Sequence, residues 1–391
     1  MTKSLTKLWL QGLKRWMNGV PAAQAESLRQ ATKKKRRKRA DSTKGPAGTG
    51  VGSVRAARAA REPRDSGKTR ESRVRPRAGA WTKGEWTRSY HSAPPLPGRL
   101  VNHLSYGLYV PPTVAGRAMP LLVMLHGCKQ TIDEFAMGTR MNLVADANGF
   151  AVVYPEQSKH AHAHRCWHWY DDVDTAGLGE ARAVVSLVDF LIEHHGVDPE
   201  RIYLAGLSAG AGLASLLALH YPERFAAVAL HSAPALGEAH SGMTAMDVMR
   251  RGARRDPIAL VDALVDAARY PGMPAIIVHG DADRVVAPKN AEQLGLAFLR
   301  LNGFVDHSGN FVTGSLHETT EGAAHINDYS TGNRAIVRVC RVAGLGHAWA
   351  GGDEAVPFHS GTGPDASAMI WAFLREHRRR RTTAARKAAV R

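Results

Sequence analysis

The chain has 391 residues, 44% of them hydrophobic, and a formal net charge of +17. That length suffices for one large or two ordinary domains with a real core. Three cysteines (Cys128, Cys166 and Cys340) are too few for a disulfide framework, and no apolar run reaches the roughly 18 residues of a transmembrane helix.

The basic charge sits at the two ends. Residues 1–30 hold 5 Lys/Arg against 1 Asp/Glu, residues 31–77 hold 17 against 4 and residues 375–391 hold 8 against 1, so that residues 78–374 carry a net −7. A mildly acidic globular body with cationic tails follows, which argues against a nucleic-acid-binding body; the tails read as solvated, nonspecific segments, with phosphate or acidic-lipid binding by the run Lys33–Arg39 as the alternative.

At the start, residues 1–20 read as an amphipathic helix. Leu5, Leu8, Trp9, Leu13, Trp16 and Met17 share one face, with Lys3, Lys7, Lys14 and Arg15 elsewhere on the wheel. Such a helix would pack on the protein's own body, adsorb to a lipid or polymer surface, or serve as a targeting peptide. The same cations interrupt any secretory h-region. Residues 21–90 are rich in Lys, Arg, Gly, Ala and Ser, and a segment so poor in large apolar side chains is expected to be disordered.

The catalytic domain is expected at residues 91–376, with a basic tail at 377–391. Short apolar runs at Leu121–Leu125, Phe150–Tyr154, Arg201–Gly206, Ala226–His231, Met273–His279 and Ala335–Arg341 predict strands buried on both faces. Helical periodicity over Ala181–His194, Gly210–His220 and Met369–Glu376 alternates with them, so the fold class is α/β: a mostly parallel central sheet with helices on both faces, preceded by the basic segment. Ligands then gather at the carboxyl ends of the strands. The polar stretch Asn302–Asn333 has the length and composition of a lid or cap.

Gly206-Leu207-Ser208-Ala209-Gly210 joins a predicted strand directly to a predicted helix. A serine on so sharp a turn, between small neighbours, projects its oxygen clear of the sheet as a nucleophile. It needs a base and an acid to orient that base, and behind such a turn they follow in the order acid, then His. Asp283 is the expected acid, in the loop after Ala275–Val278, with Asp281 stabilising the turn itself. His347 is the expected base, following a strand inside the glycine-rich Gly344-Leu345-Gly346 loop. The oxyanion of an acyl transfer requires two aimed N–H donors, here those of Ala209 and of Cys128 in the His126-Gly127-Cys128 loop. Trp167 and Trp169 are expected as apolar walls beside the site, with plain core packing the competing reading. His160, His162, His164 and His168 alternate in one loop, but neither a carboxylate nor a second cysteine is spaced to complete a tetrahedral set, so no metal is expected. The chemistry needs no cofactor.

Taken in order, Leu-His-Gly-Cys (125–128), Cys-Trp-x-Trp (166–169), Gly-Leu-Ser-Ala-Gly (206–210), His-Gly-x-x-Asp-x-x-Val (279–286) and Gly-x-Gly-His-x-Trp (344–349) resemble the polyhydroxybutyrate depolymerase family of esterases, in the α/β-hydrolase superfamily. The resemblance covers roughly residues 100–375. It implies the triad roles for Ser208, Asp283 and His347, the oxyanion role for Cys128, and a Cys128–Cys166 bridge. It also implies an ester substrate, hydroxyalkanoate polymer or oligomers first and feruloyl or acetylxylan esters as the alternative. The missing secretory signal and the absence of a binding domain after residue 375 make a cytoplasmic member the expectation, attached to a polyhydroxyalkanoate granule through the helix and basic segment. Secretion is the alternative, since the family has extracellular members. A non-enzymatic granule or nucleic-acid scaffold is a further alternative, against which the complete triad argues.

Overall fold

A computed structural model describes residues 82–379 apart from 97–101, 113–117 and 172–176. All of these residues belong to one unit, Val74–Arg391. The amphipathic helix expected at residues 1–20 and most of the basic segment lie outside the described residues.

Twelve strands are described: β1 (Glu85–Ser92), β2 (His103–Val110), β3 (Met119–Leu125), β4 (Ala151–Glu156), β5 (Val197–Leu207), β6 (Ala227–His231), β7 (Ala275–Gly280), β8 (Ser315–Glu321), β9 (Ala324–Thr331), β10 (Arg334–Val342), β11 (Trp349–Ala350) and β12 (His359–Ser360). Ten form one sheet in the order β1-β2-β4-β3-β5-β6-β7-β10-β9-β8. The stretch from β4 to β10 is parallel throughout, and antiparallel pairs flank it at each edge. The six predicted strands form this parallel centre. Their residues alternate between two apolar cores: Leu121, Val123 and Leu125 enter one, and Leu122 and Met124 the other. Burial on both faces is why these strands are continuously apolar.

One face is covered by α3 (Gly177–His194), α4 (Ala209–His220), α5 (Gly242–Arg251), α6 (Pro257–Leu264) and α7 (Lys289–Leu301). On the other lie α1 (Ile132–Thr139), α2 (Met141–Asn148) and α8 (Ala366–Leu374), where Phe150 stacks on Trp371 with ring centroids 3.6 Å apart. The helix α1 begins with a capping box between Thr131 and Glu134, fixing the direction in which the chain leaves the loop after β3.

The structure corrects three expectations. The segment expected to be disordered to residue 90 is already in strand from Glu85: Trp86 packs into the core over Gly107, where a Cβ would lie 2.4 Å from the ring, and Arg88 pairs with Asp133 and Glu156. The polar stretch 302–333, expected as a lid, instead contains the hairpin β8–β9, which adds two strands to the sheet beyond β10. Polar side chains suit an edge hairpin with little buried surface, and this gave the stretch its loop-like composition. The basic tail expected from residue 377 starts within the fold: Tyr203 donates to the carbonyl of buried His377, Arg378 pairs with Asp198, and the Arg379 N–H donates to Glu200. None of the described helices is long and apolar enough to cross a membrane.

At the centre, β5 turns into α4 so tightly that neither flanking glycine has room for a side chain. A Cβ on Gly206 would lie 2.5 Å from the Ala211 nitrogen, and one on Gly210 would lie 2.1 Å from the Leu125 carbonyl oxygen. Gly210→Ala is therefore expected to lower the unfolding free energy by about 1–3 kcal/mol or more, read from urea denaturation, because the clash is with backbone that cannot step aside.

Four buried histidines, His126, His231, His359 and His377, are pushed down by burial to about 4, 3, 4 and 4. They stay neutral in the folded state, whereas the unfolded chain protonates them near pH 6.5. Stability is thus retained above that pH and lost as the pH falls from about 6.5 towards 4, each histidine contributing up to about 1.4 kcal/mol per pH unit. Thermal melts between pH 8 and pH 4.5 should show a flat Tm and then a steep decline beginning near pH 6.5.

Candidate active site

Four loops at the carboxyl ends of β3, β5, β7 and β10 supply the predicted residues. Ser208 occupies the turn between β5 and α4 with φ +56° and ψ −121°, a left-handed conformation that a non-glycine residue adopts only under constraint. Its N–H donates to the His231 carbonyl at 2.9 Å and its carbonyl accepts from Gly212 at 3.0 Å, so both sides of the turn are pinned. Ala209 opens α4, and the first N–H groups of a helix have no partner within it. The predicted donor therefore sits at the positive end of the helix, beside the serine.

The second predicted donor, Cys128, follows Gly127, whose Cα direction places a Cβ 3.5 Å from the Ser208 Cβ. Several bonds hold this loop against the nucleophile. Cys128 is bridged to Cys166. The indole N–H of Trp167 donates to the His126 carbonyl at 3.0 Å, the Lys129 N–H donates to His164, and the Gln130 side chain accepts from the Gly127 N–H at 2.8 Å. His126 itself, fully buried, accepts from Gln157 N–H through Nε2 at 3.0 Å and donates from Nδ1 to the Gly127 carbonyl at 2.8 Å. The acceptor role of Nε2 needs the neutral ring, in keeping with the pKa that burial lowers.

Asp283 and His347, 64 residues apart, meet. The imidazole Nδ1 donates to Asp283 Oδ2 at 2.7 Å, which leaves Nε2 as the basic nitrogen. The other carboxylate oxygen, Oδ1, accepts the N–H groups of Val285 (2.8 Å) and Val286 (2.9 Å). Burial pushes the Asp283 carboxyl up, but the charge and hydrogen bond of His347, the nearby His279 and the Val286 N–H outweigh it and hold it below the usual carboxylate value. Asp281 does something other than brace its own turn: its Oδ1 accepts the Gly344 N–H at 2.7 Å, tying the acid loop to the histidine loop. Gly280 is glycine because a Cβ there would lie 2.0 Å from the Leu345 carbonyl oxygen, the point at which the two loops cross. The Ala282 N–H donates to that same carbonyl.

Trp167 and Trp169, expected as walls of the site, are core residues with 1% and 7% exposure. Trp167 braces the loop of Cys128, and Trp169 packs on Gly212 of α4. Indole rings this buried stabilise the loops from behind and offer a substrate almost no surface. The alternating histidines pack on one another, His162 against His164 and His168, while His168 Nδ1 bonds Glu180 at 2.6 Å. Among the described residues no group of three or more His, Cys, Asp or Glu side chains is placed to hold a metal ion.

Sequence reasoning missed the supporting residues His231, His279 and Glu180. A histidine ending an otherwise apolar strand, as in Ala227–His231, was the available signal for the first of them.

The sequence is 30% identical over 259 residues to poly(3-hydroxyalkanoate) depolymerase C of Paucimonas lemoignei, the match covering 65% of this chain and 59% of that protein. It is 32% identical over 184 residues to feruloyl esterase B of Thermothelomyces thermophilus, covering 44% and 62% respectively. The chain thus spans about three-fifths of the length of these relatives. The solved acetyl xylan esterase from Aspergillus awamori superposes with a TM-score of 0.57 at 17% identity, over 74% of this chain and 98% of that one, and shares the fold. Residues 104–322, more than half of the sequence, match one family profile, and on that match the chain belongs to the esterase PHB depolymerase family.

Proposed function

We propose that the chain is a serine carboxylic-ester hydrolase acting on poly(3-hydroxybutyrate) or its hydroxyalkanoate oligomers, with Ser208, His347 and Asp283 as its triad. The observation that carries this reading is the part-buried His347–Asp283 pair together with a strained serine turn, on loops that leave the same edge of the parallel sheet. A turn of this kind has a conformational cost of about 1–3 kcal/mol and persists where the surroundings impose it.

In the reaction, His347 Nε2 takes the Ser208 Oγ proton as the oxygen attacks the ester carbonyl carbon. Asp283 holds the ring in the Nδ1–H tautomer and stabilises the imidazolium that forms. The N–H groups of Ala209 and Cys128 bind the oxyanion. As the tetrahedral intermediate collapses, the C–O bond to the alcohol breaks and His347 returns the proton to that oxygen. Water then attacks the acyl-enzyme by the same steps and releases the acid. Support for the substrate comes from the name of the Paucimonas lemoignei relative. A second reading, hydrolysis of feruloyl esters, is supported by the feruloyl esterase match at similar identity.

Ser208→Ala should lower kcat on p-nitrophenyl acetate on the order of 10⁴-fold or more while leaving the thermal melt in place. The substrate is decided by kcat/KM on 3-hydroxybutyrate oligomers, methyl ferulate and an acetylated xylan: a preference for the ferulate or the xylan ester would reject the depolymerase reading. The two aspartates separate by substitution. Asp283→Asn should cost on the order of 10⁴-fold in kcat, by loss of the correct imidazole tautomer, and Asp281→Asn no more than about tenfold.

A further inference from the structure

We propose that His231 is a positioning residue that holds the histidine loop in register with the serine turn, by presenting a neutral Nε2 acceptor to the Ala350 N–H; this rests on the reading of Ser208 as the nucleophile. His231 is the last residue of β6, paired with Leu207 on one side and Val278 on the other. It therefore stands between the strand that leads to Ser208 and the strand that leads to Asp283. Its carbonyl accepts the Ser208 N–H at 2.9 Å. Its ring points to the third element: Nε2 accepts the Ala350 N–H at 3.1 Å, and the imidazole stacks on Trp349 with centroids 4.9 Å apart and planes inclined by 20°.

Trp349 and Ala350 lie two and three residues after His347. The neighbouring N–H groups of Trp349 and Gly351 point the other way, to Phe358 and Thr362, while that of Ala350 turns inward to His231. The imidazole is thus a hold of the sheet on the C-terminal side of the base, complementing the Asp281 and Ala282 bonds that fix the N-terminal side. With Nε2 accepting, Nδ1 bears the proton and donates to the Ser232 hydroxyl at 3.2 Å. Protonation of Nε2 would replace the acceptor with a donor facing a donor. Burial is the main force keeping the ring neutral, joined by the imidazoles of His279, His347 and His359, while Asp283 acts in the opposite direction.

Gln and Asn at this position distinguish positioning from bulk. A Gln side chain puts its amide oxygen near the place of Nε2, within reach of Ala350; an Asn amide, one methylene shorter, ends near Nδ1 and reaches Ser232. With p-nitrophenyl acetate as substrate, His231→Gln should keep kcat within about fivefold of wild type, whereas His231→Asn should lose about 30–100-fold in kcat with KM changed less than about threefold, as a sub-ångström misplacement of the base produces. His231→Phe, which keeps a ring on Trp349 without the acceptor, should behave as the Asn variant does, and it replaces that variant if Asn prevents folding. Equal rates for Gln and the acceptor-free variant, whether both high or both low, would overturn the role of His231. Ser208→Ala, run alongside, separates the two levels: turnover surviving in it removes the nucleophile assignment and this proposal together, whereas an inert Ser208→Ala leaves the first standing whatever His231 does.

Discussion

A single backbone turn, Ser208 at φ +56°, sets the terms for the rest of the molecule. An L-residue in that region is held there by its surroundings, and the surroundings here are packed to van der Waals limits. Gly210 lies against the Leu125 carbonyl of β3, Gly206 against the start of α4, and the Ser208 N–H is committed to β6. Placing a hydroxyl clear of a fully buried sheet requires the chain to reverse within one residue, and only a central strand with neighbours on both sides supplies enough contacts to enforce that reversal.

The remaining site is built by bracing loops against one another. Asp281 accepts from the histidine loop, the Leu345 carbonyl accepts from the acid loop, His231 ties the serine turn to Ala350, and the Cys128–Cys166 bridge with Trp167 fixes the loop after β3. A free loop would lose its catalytic group to conformational entropy. Neutral, buried histidines recur among these braces because an imidazole offers a donor and an acceptor on one rigid ring. That choice makes the framework of the site depend on pH. The expected tryptophan walls belong to the same framework, since a large ring that seals a loop from behind has no face left for a substrate.

Family membership and substrate rest on different kinds of support. The match over residues 104–322 covers Ser208 and Asp283, and His347 lies beyond it, joined to the matched region by the hydrogen bond to Asp283. Relatives named for hydroxyalkanoate polymer and for feruloyl esters match at nearly equal identity. The reacting groups can be common to both because ester chemistry fixes the serine, imidazole and carboxylate, whereas the acyl and alcohol parts are selected by surfaces outside that constellation.

The sequence by itself determined the parallel centre of the fold and pointed to the three residues proposed here as the triad. Buried parallel strands must be continuously apolar, and a serine between glycines at a strand–helix junction has few other uses, so Leu121–Leu125, Arg201–Gly206 and Gly206–Gly210 were legible as written. Asp283 and His347 followed from chain order and from their places after strands. Only the tertiary structure decided the antiparallel edges, the burial of Trp167 and Trp169, the cross-loop role of Asp281 and the place of His231. The edge strands β1, β8 and β9 bury little and so carry no run of apolar residues. The partners of Asp281 and His231 lie 63 and 119 residues away, and a hydrogen bond across such a distance leaves no period or motif in the chain; it exists once the sheet has brought the strand ends together.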